Sequence, residues 1–442
     1  MNTAWCGVER GSASSTSPPV TAPAARDHVA VPRATAAPGS RLDRPLTLPP
    51  PSTKSAIFSD ARELAPGDKH PRFMRGHVRK QEAMFVAVSI ERLVEQRLAP
   101  DHPLRRIRAF TDEVLASMSD DLDRAYSDRG RMSVPPECML KALLWQALYT
   151  VRSERQLEEV LRFDLRARWF VGLPLDQDAW DHSTFSKARD NFILTEFAVL
   201  FFERHVEMLR REGFVSDEHL SVDGSLLAAW ASHKSLVSKD DLDDEGKPPS
   251  PPPGGRNSWV DFKGQKRSNA THVSATDPEA KLASKGVGAK LSHELNVVME
   301  NRNGLTIDFT IAAPTGTSER EQAHMMMTTL VAKGLAPKTL GADRKYSDGD
   351  DLVLQCSAMG ITPHFAVRDD RPNALARLCH DDPGYPISIR CRMRIEEIFG
   401  FVKTVTNLAK LKVRGQLRIW GVVAVALSAL NLTRHAKLST HA

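Results

Sequence analysis

The dipeptide Asn303-Gly304 lies between two β-rich runs in LNVVMENRNGLTIDFTIA and constrains the fold more than any other feature of the chain. Asn-Gly adopts the positive φ angles of a tight reversal at little cost, so the two runs are expected to pair as an antiparallel hairpin. Upstream, HLSVDGSLL reads as a further strand. Downstream, SEREQAHMMMTTLVAKG reads as a helix capped by Ser318, with its consecutive methionines assigned to the core. KTLGADRKYSD, DGDDLVLQCSAMG and ITPHFAV then give a strand, a helix and a strand. Such a unit is expected to be parallel and right-handed. RCRMRIEEIFGFVKTV closes the series as one amphipathic helix.

An antiparallel start of three strands that passes into a parallel continuation with flanking helices is a mixed sheet in the RNase H-like order. The fold expected is therefore α/β, an RNase H-like mixed-sheet domain over 216–442 preceded by an all-helical domain over 74–215. In the helical part Leu104, Ile107, Phe110, Val114 and Leu115 recur close to helical spacing. Pro135 and Pro136 stand where a first turn tolerates proline. Ser153 and Gln156 form a capping-box pattern, and HSTFSKARDNF reads as a short helix capped by Ser183. If these short helices include a helix-turn-helix, Ser186, Lys187 and Arg189 would face a DNA groove; otherwise they are solvated positions of a bundle. Residues 1–73, rich in Pro, Ala, Ser and Thr, read as disordered or as an over-long gene start ahead of Met74. The insert 237–257, with its acidic run Asp240–Glu245 among prolines, reads as a disordered, solvated loop and not as a metal loop.

Composition narrows the function classes. With 41% hydrophobic residues in 442, there is ample material for a core, and the length suggests two or three domains. A formal charge of +5 permits a polyanionic partner without demonstrating one. The five cysteines form no CxxC pair, which argues against a zinc site and suits a reducing cytoplasm. MNTAWCGVERGSASSTS lacks the basic and apolar regions of a signal peptide. IWGVVAVALSALNL, residues 419–432, is too short to span a bilayer and reads as a buried helix.

Three acids carry the candidate chemistry. Asp223 sits inside an apolar strand, where a lone carboxylate costs several kcal/mol unless something compensates. Asp343 ends the strand TLGAD, and strand ends in α/β sheets are where ligands are met. Glu396 borders the buried face Ile395, Ile398, Phe399 and Val402, with Arg392 four residues before it and Lys403 seven after, near one stripe. Gathered carboxylates repel one another, and a divalent cation removes that penalty. Hard oxygen donors suit Mg²⁺, with Mn²⁺ as a substitute, over Zn²⁺. Two such ions about 4 Å apart can hold a scissile phosphate, activate the attacking oxygen and stabilise the leaving one. Arg392 and Lys403 would then contact DNA phosphate. Glu397 is the alternative to Glu396. Lys410, Lys412, Arg414 and Arg418 offer further phosphate contacts or form a solvated basic helix end. Trp230 and His233 are expected as a core tryptophan and a loop histidine, with base stacking as the alternative.

Several segments together resemble a known family. VDGSLLAAWASHKS, KRSNATHVSATDPEAKL, MENRNGL, TGTSERE, TLGADRKY and RIEEIFGFVKT resemble the DDE transposases of bacterial insertion sequences, in particular the IS-five-type group. MFVAVSIERLV, HPLRRIRAF, ALYTVRSERQLEE and RWFVGLPLDQDAWDHSTFSK resemble that group's N-terminal helical domain. The resemblance implies an RNase H-like catalytic domain using Mg²⁺, with cleavage and joining of double-stranded DNA at inverted-repeat ends. It also implies Asp223, Asp343 and Glu396 as the DDE acids, with Arg392 and Lys403 beside the Glu. A homodimer on DNA and a cytoplasmic, nucleoid-associated location go with it. Two departures stand out. Arg344-Lys345-Tyr346 replaces the usual Lys-Gly-Tyr, and Ile389 stands where some branches carry Tyr. A remnant that binds its ends without cutting is the alternative reading.

Overall fold

The computed structural model describes residues 89–125, 134–190, 193–242, 267–284, 286, 288–348, 351–367 and 379–440. The tail 1–73 and most of the insert 237–257 lie outside the described residues.

Eight helices precede the first strand among the described residues: α1 (Ile90–Arg97), α2 (Pro103–Ser117), α3 (Ser119–Ala125), α4 (Pro136–Leu148), α5 (Glu154–Phe163), α6 (Leu165–Val171), α7 (His182–Asp190) and α8 (Ile193–Arg211). Pro136 opens α4 as expected, because its missing N–H is one that a first turn leaves unpaired anyway. Ser153 caps α5, accepting from the Gln156 N–H at 3.2 Å. At α7 the cap is Asp181 and not Ser183: the Ser183 N–H donates to Asp181 Oδ1 at 2.8 Å, so the helix begins two residues earlier.

The strands are β1 (His219–Ala228), β2 (Leu236–Ser238), β3 (His272–Ser274), β4 (Lys281–Ala283), β5 (Lys290–Glu300), β6 (Thr306–Ala312), β7 (Thr339–Ala342) and β8 (Thr362–Phe365). The main sheet runs β4-β5-β1-β7-β8, with β6 also on β5. β1 is antiparallel to β5 and parallel to β7, and β7 is parallel to β8, so the mixed sheet read from the sequence is present. The insert starts as structure, since β2 pairs with β3.

The hairpin is looser than Asn-Gly alone implies. Gly304 has φ +75°, while Asn303 is not in the positive region. Glu300 N–H reaches Leu305 O at 2.8 Å, so the loop spans 301–304 and not two residues. The buried Glu300 carboxylate is the cause, accepting the N–H groups of Arg302 at 2.6 Å and Asn303 at 2.8 Å and so favouring a helical turn there.

After the hairpin come α9 (Ser318–Ala332), α10 (Asp351–Ala358), α11 (Tyr385–Arg392), α12 (Ile395–Gly400), a π-turn at Phe401–Val405, and α13 (Gln416–Leu438). Thr317, not Ser318, holds the cap position of α9, and the Ser318 hydroxyl donates to Glu294 Oε2 at 2.9 Å. Met326 and Met327 are buried as expected, and Met325 is exposed. The single amphipathic helix expected over 390–405 is broken at Met393-Arg394 and ends in the π-turn. An extra residue in a helical turn re-aims the side chains after it, a device frequent at functional sites.

α13 is longer than its apolar run suggested, at 23 residues. It is long and apolar enough to cross a membrane by length and composition alone, yet 67% of that window is buried within the protein. It packs on α2, α4, α8 and β6. Gly421 allows this, since a Cβ there would stand 3.0 Å from Thr195 Cα on α8. Asn431 closes the other side, its amide accepting from Thr306 N–H at 3.0 Å and donating to Thr306 O at 2.7 Å. The helices before β1 and the sheet therefore share one hydrophobic core.

That core buries a histidine pair. His205 Nε2 lies 3.3 Å from His435 Nδ1, His435 Nε2 lies 2.7 Å from Glu212, and His435 stacks on Phe110. Burial, followed by the neighbouring His435, holds His205 down to about 3. A histidine with a folded pKa below its unfolded one keeps the native state from taking up a proton that the unfolded chain takes. Stability should therefore fall by about 1.4 kcal/mol per pH unit as pH drops below about 6.5. Urea midpoints measured from pH 7.5 to 5 should show this slope, and His205→Leu should flatten it.

Candidate active site

Asp223 and Asp343 are brought together by strand register. β1 and β7 pair His219 with Thr339, Leu220 with Leu340 and Ser221 with Gly341. Two residues further along both parallel strands stand Asp223 and Asp343, on the same face by alternation. That face is the one α11 covers: a Cβ on Gly341 would lie 2.9 Å from Ser388 Oγ of α11 and 3.1 Å from Ser221 Oγ. Small residues in three adjoining positions thus let α11 lie close and carry Arg392 to the acids.

The Asp223 side chain is 13% exposed, and Arg392 Nη1 lies 4.0 Å from its Oδ2. Its Oδ1 accepts the Gly224 N–H at 2.8 Å. Asp343 Oδ1 accepts the Arg344 N–H at 2.6 Å and so caps the short 3₁₀ turn Arg344–Ser347. No residue of that turn has a positive φ, so the glycine replaced by Lys345 is not required here. Lys403, in the π-turn, donates to Ser225 Oγ at 2.7 Å, and Ser225 shares the face of Asp223. Glu396 is exposed on α12, which packs on β1. Glu397 is directed elsewhere, pairing with Arg434 of α13 at 3.0 Å.

A second polar group, which the sequence reading missed, lies on the other face of β1. Gly224 pairs across to Asn296, and Leu226 to Glu294. Glu294 is buried, accepting from the Asn296 amide at 3.0 Å and from Ser318. Glu319 lies 3.8 Å from Lys345. A Cβ on Gly224 would meet Asn296 Oδ1 at 2.7 Å and Glu319 Cγ at 3.0 Å, so a larger residue after Asp223 would have to push these side chains aside. Tyr346 is fully buried beside these groups. Burial, then the charges of Asp223, Glu319, Glu294 and Asp343, push its phenol well above the usual range. The glycine directly after a strand aspartate was the available signal of a crowded opposite face.

Two stretches of the chain match known families. Residues 92–191 match a transposase domain family, DUF772, and residues 270–432 match the transposase DDE domain. The two matches together support a DDE transposase. The second stretch contains Asp343 and Glu396, and Asp223 lies ahead of it. No curated protein and no solved structure matches the chain.

The basic residues separate into groups. Residues 409–411 bridge to Ala228, with Ala228 N–H donating to Ala409 O at 3.1 Å and Leu411 N–H to Ala228 O at 2.8 Å. This lays Lys410 at the end of β1, 6.0 Å from the Trp230 ring. Trp230 is 51% exposed and not in the core, because Ala229 and Ala231 take the buried positions on either side of it. His233 is exposed, as expected of a loop residue. Lys412 is tied to the Arg152 carbonyl, and Arg414 is exposed. On α7, Lys187 is exposed, whereas Ser186 donates to Glu154 of α5 at 2.9 Å. The Arg189 side chain lies outside the described residues.

Proposed function

We propose that this chain is an IS-five-type transposase that cuts and joins double-stranded DNA at the inverted-repeat ends of an insertion sequence, with Asp223, Asp343 and Glu396 as the metal-holding acids of an RNase H-like domain. The observation that carries the reading is the placement of Asp223 and Asp343 at corresponding positions of neighbouring parallel strands, with Arg392 and Lys403 delivered to the same face. The donor set is made of carboxylate oxygens only, which fits Mg²⁺ or Mn²⁺. When bound, such ions would supply Lewis-acid stabilisation of the charge that builds on the phosphate and activation of the attacking oxygen.

The protein's own residues do the rest. Arg392, four residues ahead of Glu396, balances Asp223 and meets the phosphate beside the cut. Lys403 stands on Ser225, where a phosphate oxygen can displace the hydroxyl as its partner. Water attacks in line to free a 3′-OH, and that 3′-OH attacks target DNA, so no side chain forms a covalent intermediate. Lys410, Lys412, Arg414, Lys187 and Arg189 extend the phosphate contacts and make binding fall with salt. Both ends must be held at once, so the working form is a dimer on nucleoid DNA.

The test uses the full chain with DNA that flanks its own gene. Nicks bearing 3′-OH termini should form at an inverted repeat in Mg²⁺ or Mn²⁺ and vanish on addition of EDTA. Salt-sensitive binding with no nick in either metal would leave the remnant reading in place of the enzyme.

A further inference from the structure

The turn after β5 does more than reverse the chain, because two other segments donate to its backbone and its own side chains reach a third. Arg394 Nη1 donates to the carbonyls of Asn301 at 3.2 Å and Arg302 at 3.1 Å. Arg434 of α13 donates to the Gly304 carbonyl and holds Glu397. In the other direction, Arg302 donates to Gly213 O at 2.7 Å and Asn303 to Phe214 O at 2.6 Å, just past the end of α8. Gly304 has a φ of +75°, and a Cβ there would stand 2.9 Å from Arg394 Nη2 and 3.2 Å from Arg434 Nη1, so both arginines pack directly on the turn.

Arg394 sits between α11 and α12, at the cap position of the helix that bears Glu396. Successive helix residues point about 100° apart, so a helix this short is aimed by whatever fixes its first turn. Two anchors fix α12. Arg394 ties its start to the hairpin, and Glu397 ties the neighbouring position to Arg434. We propose that Arg394 is a positioning residue: the gripped turn 301–304 sets the rotation of α12 and thereby directs Glu396 toward the face that carries Asp223 and Asp343. The inference rests on the metal-acid reading above. Both bonds come from the terminal nitrogen Nη1, one bond farther from the backbone than a lysine ammonium, so Lys should substitute for Arg poorly here.

The experiment compares full-length wild type with Arg394→Lys, Arg394→Ala and Arg434→Ala. Each is measured for Mn²⁺ affinity without DNA, nicking rate, affinity for end DNA and thermal midpoint. Displacing an element that supports a metal ligand should weaken Mn²⁺ binding by about 10- to 100-fold. Nicking should fall with it in both Arg394 variants, while DNA affinity stays within about twofold, since Arg394 lies outside the phosphate-contacting set. Arg434→Ala should give a milder loss, and its combination with Arg394→Lys should be less than additive, as one anchor fails once the other is gone. A lowered midpoint with unchanged Mn²⁺ affinity in Arg394→Lys would reduce Arg394 to a stabilising contact and overturn the proposal. Wild type that binds Mn²⁺ yet nicks nothing would count against the enzyme reading, and the Mn²⁺ comparison would still decide the role of Arg394.

Discussion

Asp223→Asn should lower nicking and joining by at least about 10³-fold, on the scale of the several kcal/mol that a lost metal ligand removes from a phosphoryl-transfer transition state. The substitution keeps the shape of the side chain, and its carbonyl oxygen can still accept the Gly224 N–H. What it removes is the charge that Arg392 faces at 4.0 Å and that a cation would need. The fold should survive, because a carboxylate beside Asp343 is itself a source of repulsion, so the thermal midpoint should hold or rise. DNA affinity should rise slightly at low salt, since one negative charge leaves the phosphate path. Gel-resolved nicking alongside circular-dichroism melting separates these outcomes. A variant that nicks at the wild-type rate would remove Asp223 from the mechanism.

Phe309→Ala should cost about 3–5 kcal/mol, the range for deleting a buried aromatic ring. Phe309 is 2% exposed on β6. Its ring meets Phe202 of α8 edge-on at 5.1 Å and Trp420 of α13 at 4.8 Å. The ring thus lies where helices from both ends of the chain press on the sheet, and its loss should loosen all three layers together. In urea, near- and far-ultraviolet dichroism should shift to one lower midpoint. A loss under about 1 kcal/mol, or a sheet that melts apart from the helices, would contradict the shared core.

The sequence was readable where local pattern and tertiary demand agree. HLSVDGSLL, TLGAD and ITPHFAV are short apolar runs closed by polar residues, and each is a strand at the expected place. The two aspartates were visible because an acid in or at the end of such a run breaks the pattern. β2, β3 and β4 were not legible, since each is three residues long and carries no period. The break at Met393-Arg394 was hidden for another reason. RIEEIFGFV keeps helical spacing, and the interruption accompanies hydrogen bonds from Arg394 to a hairpin some ninety residues earlier. Ser186, Lys187 and Arg189 looked alike as polar positions on a short helix, and only the packing of α7 on α5 sets Ser186 apart. Glu294, Glu319 and Tyr346 come from a strand, a helix and a 3₁₀ turn in three separate segments, and only tertiary packing brings them to the far face of β1. α13 was underestimated because its ends, Gln416–Arg418 and Thr433–Leu438, are polar while its middle is not.

The burial of α13 has a consequence for synthesis on the ribosome. Translation makes α2, α4 and α8 some two hundred residues or more before the helix that covers them, and β6 about a hundred before. Until Gln416–Leu438 leaves the exit tunnel, those apolar faces have no permanent partner, and the nascent chain depends on transient cover. A frameshift or early stop ahead of Gln416 would therefore produce no smaller working enzyme. It would release a chain whose helices and sheet both present unburied core, a substrate for chaperones and proteases.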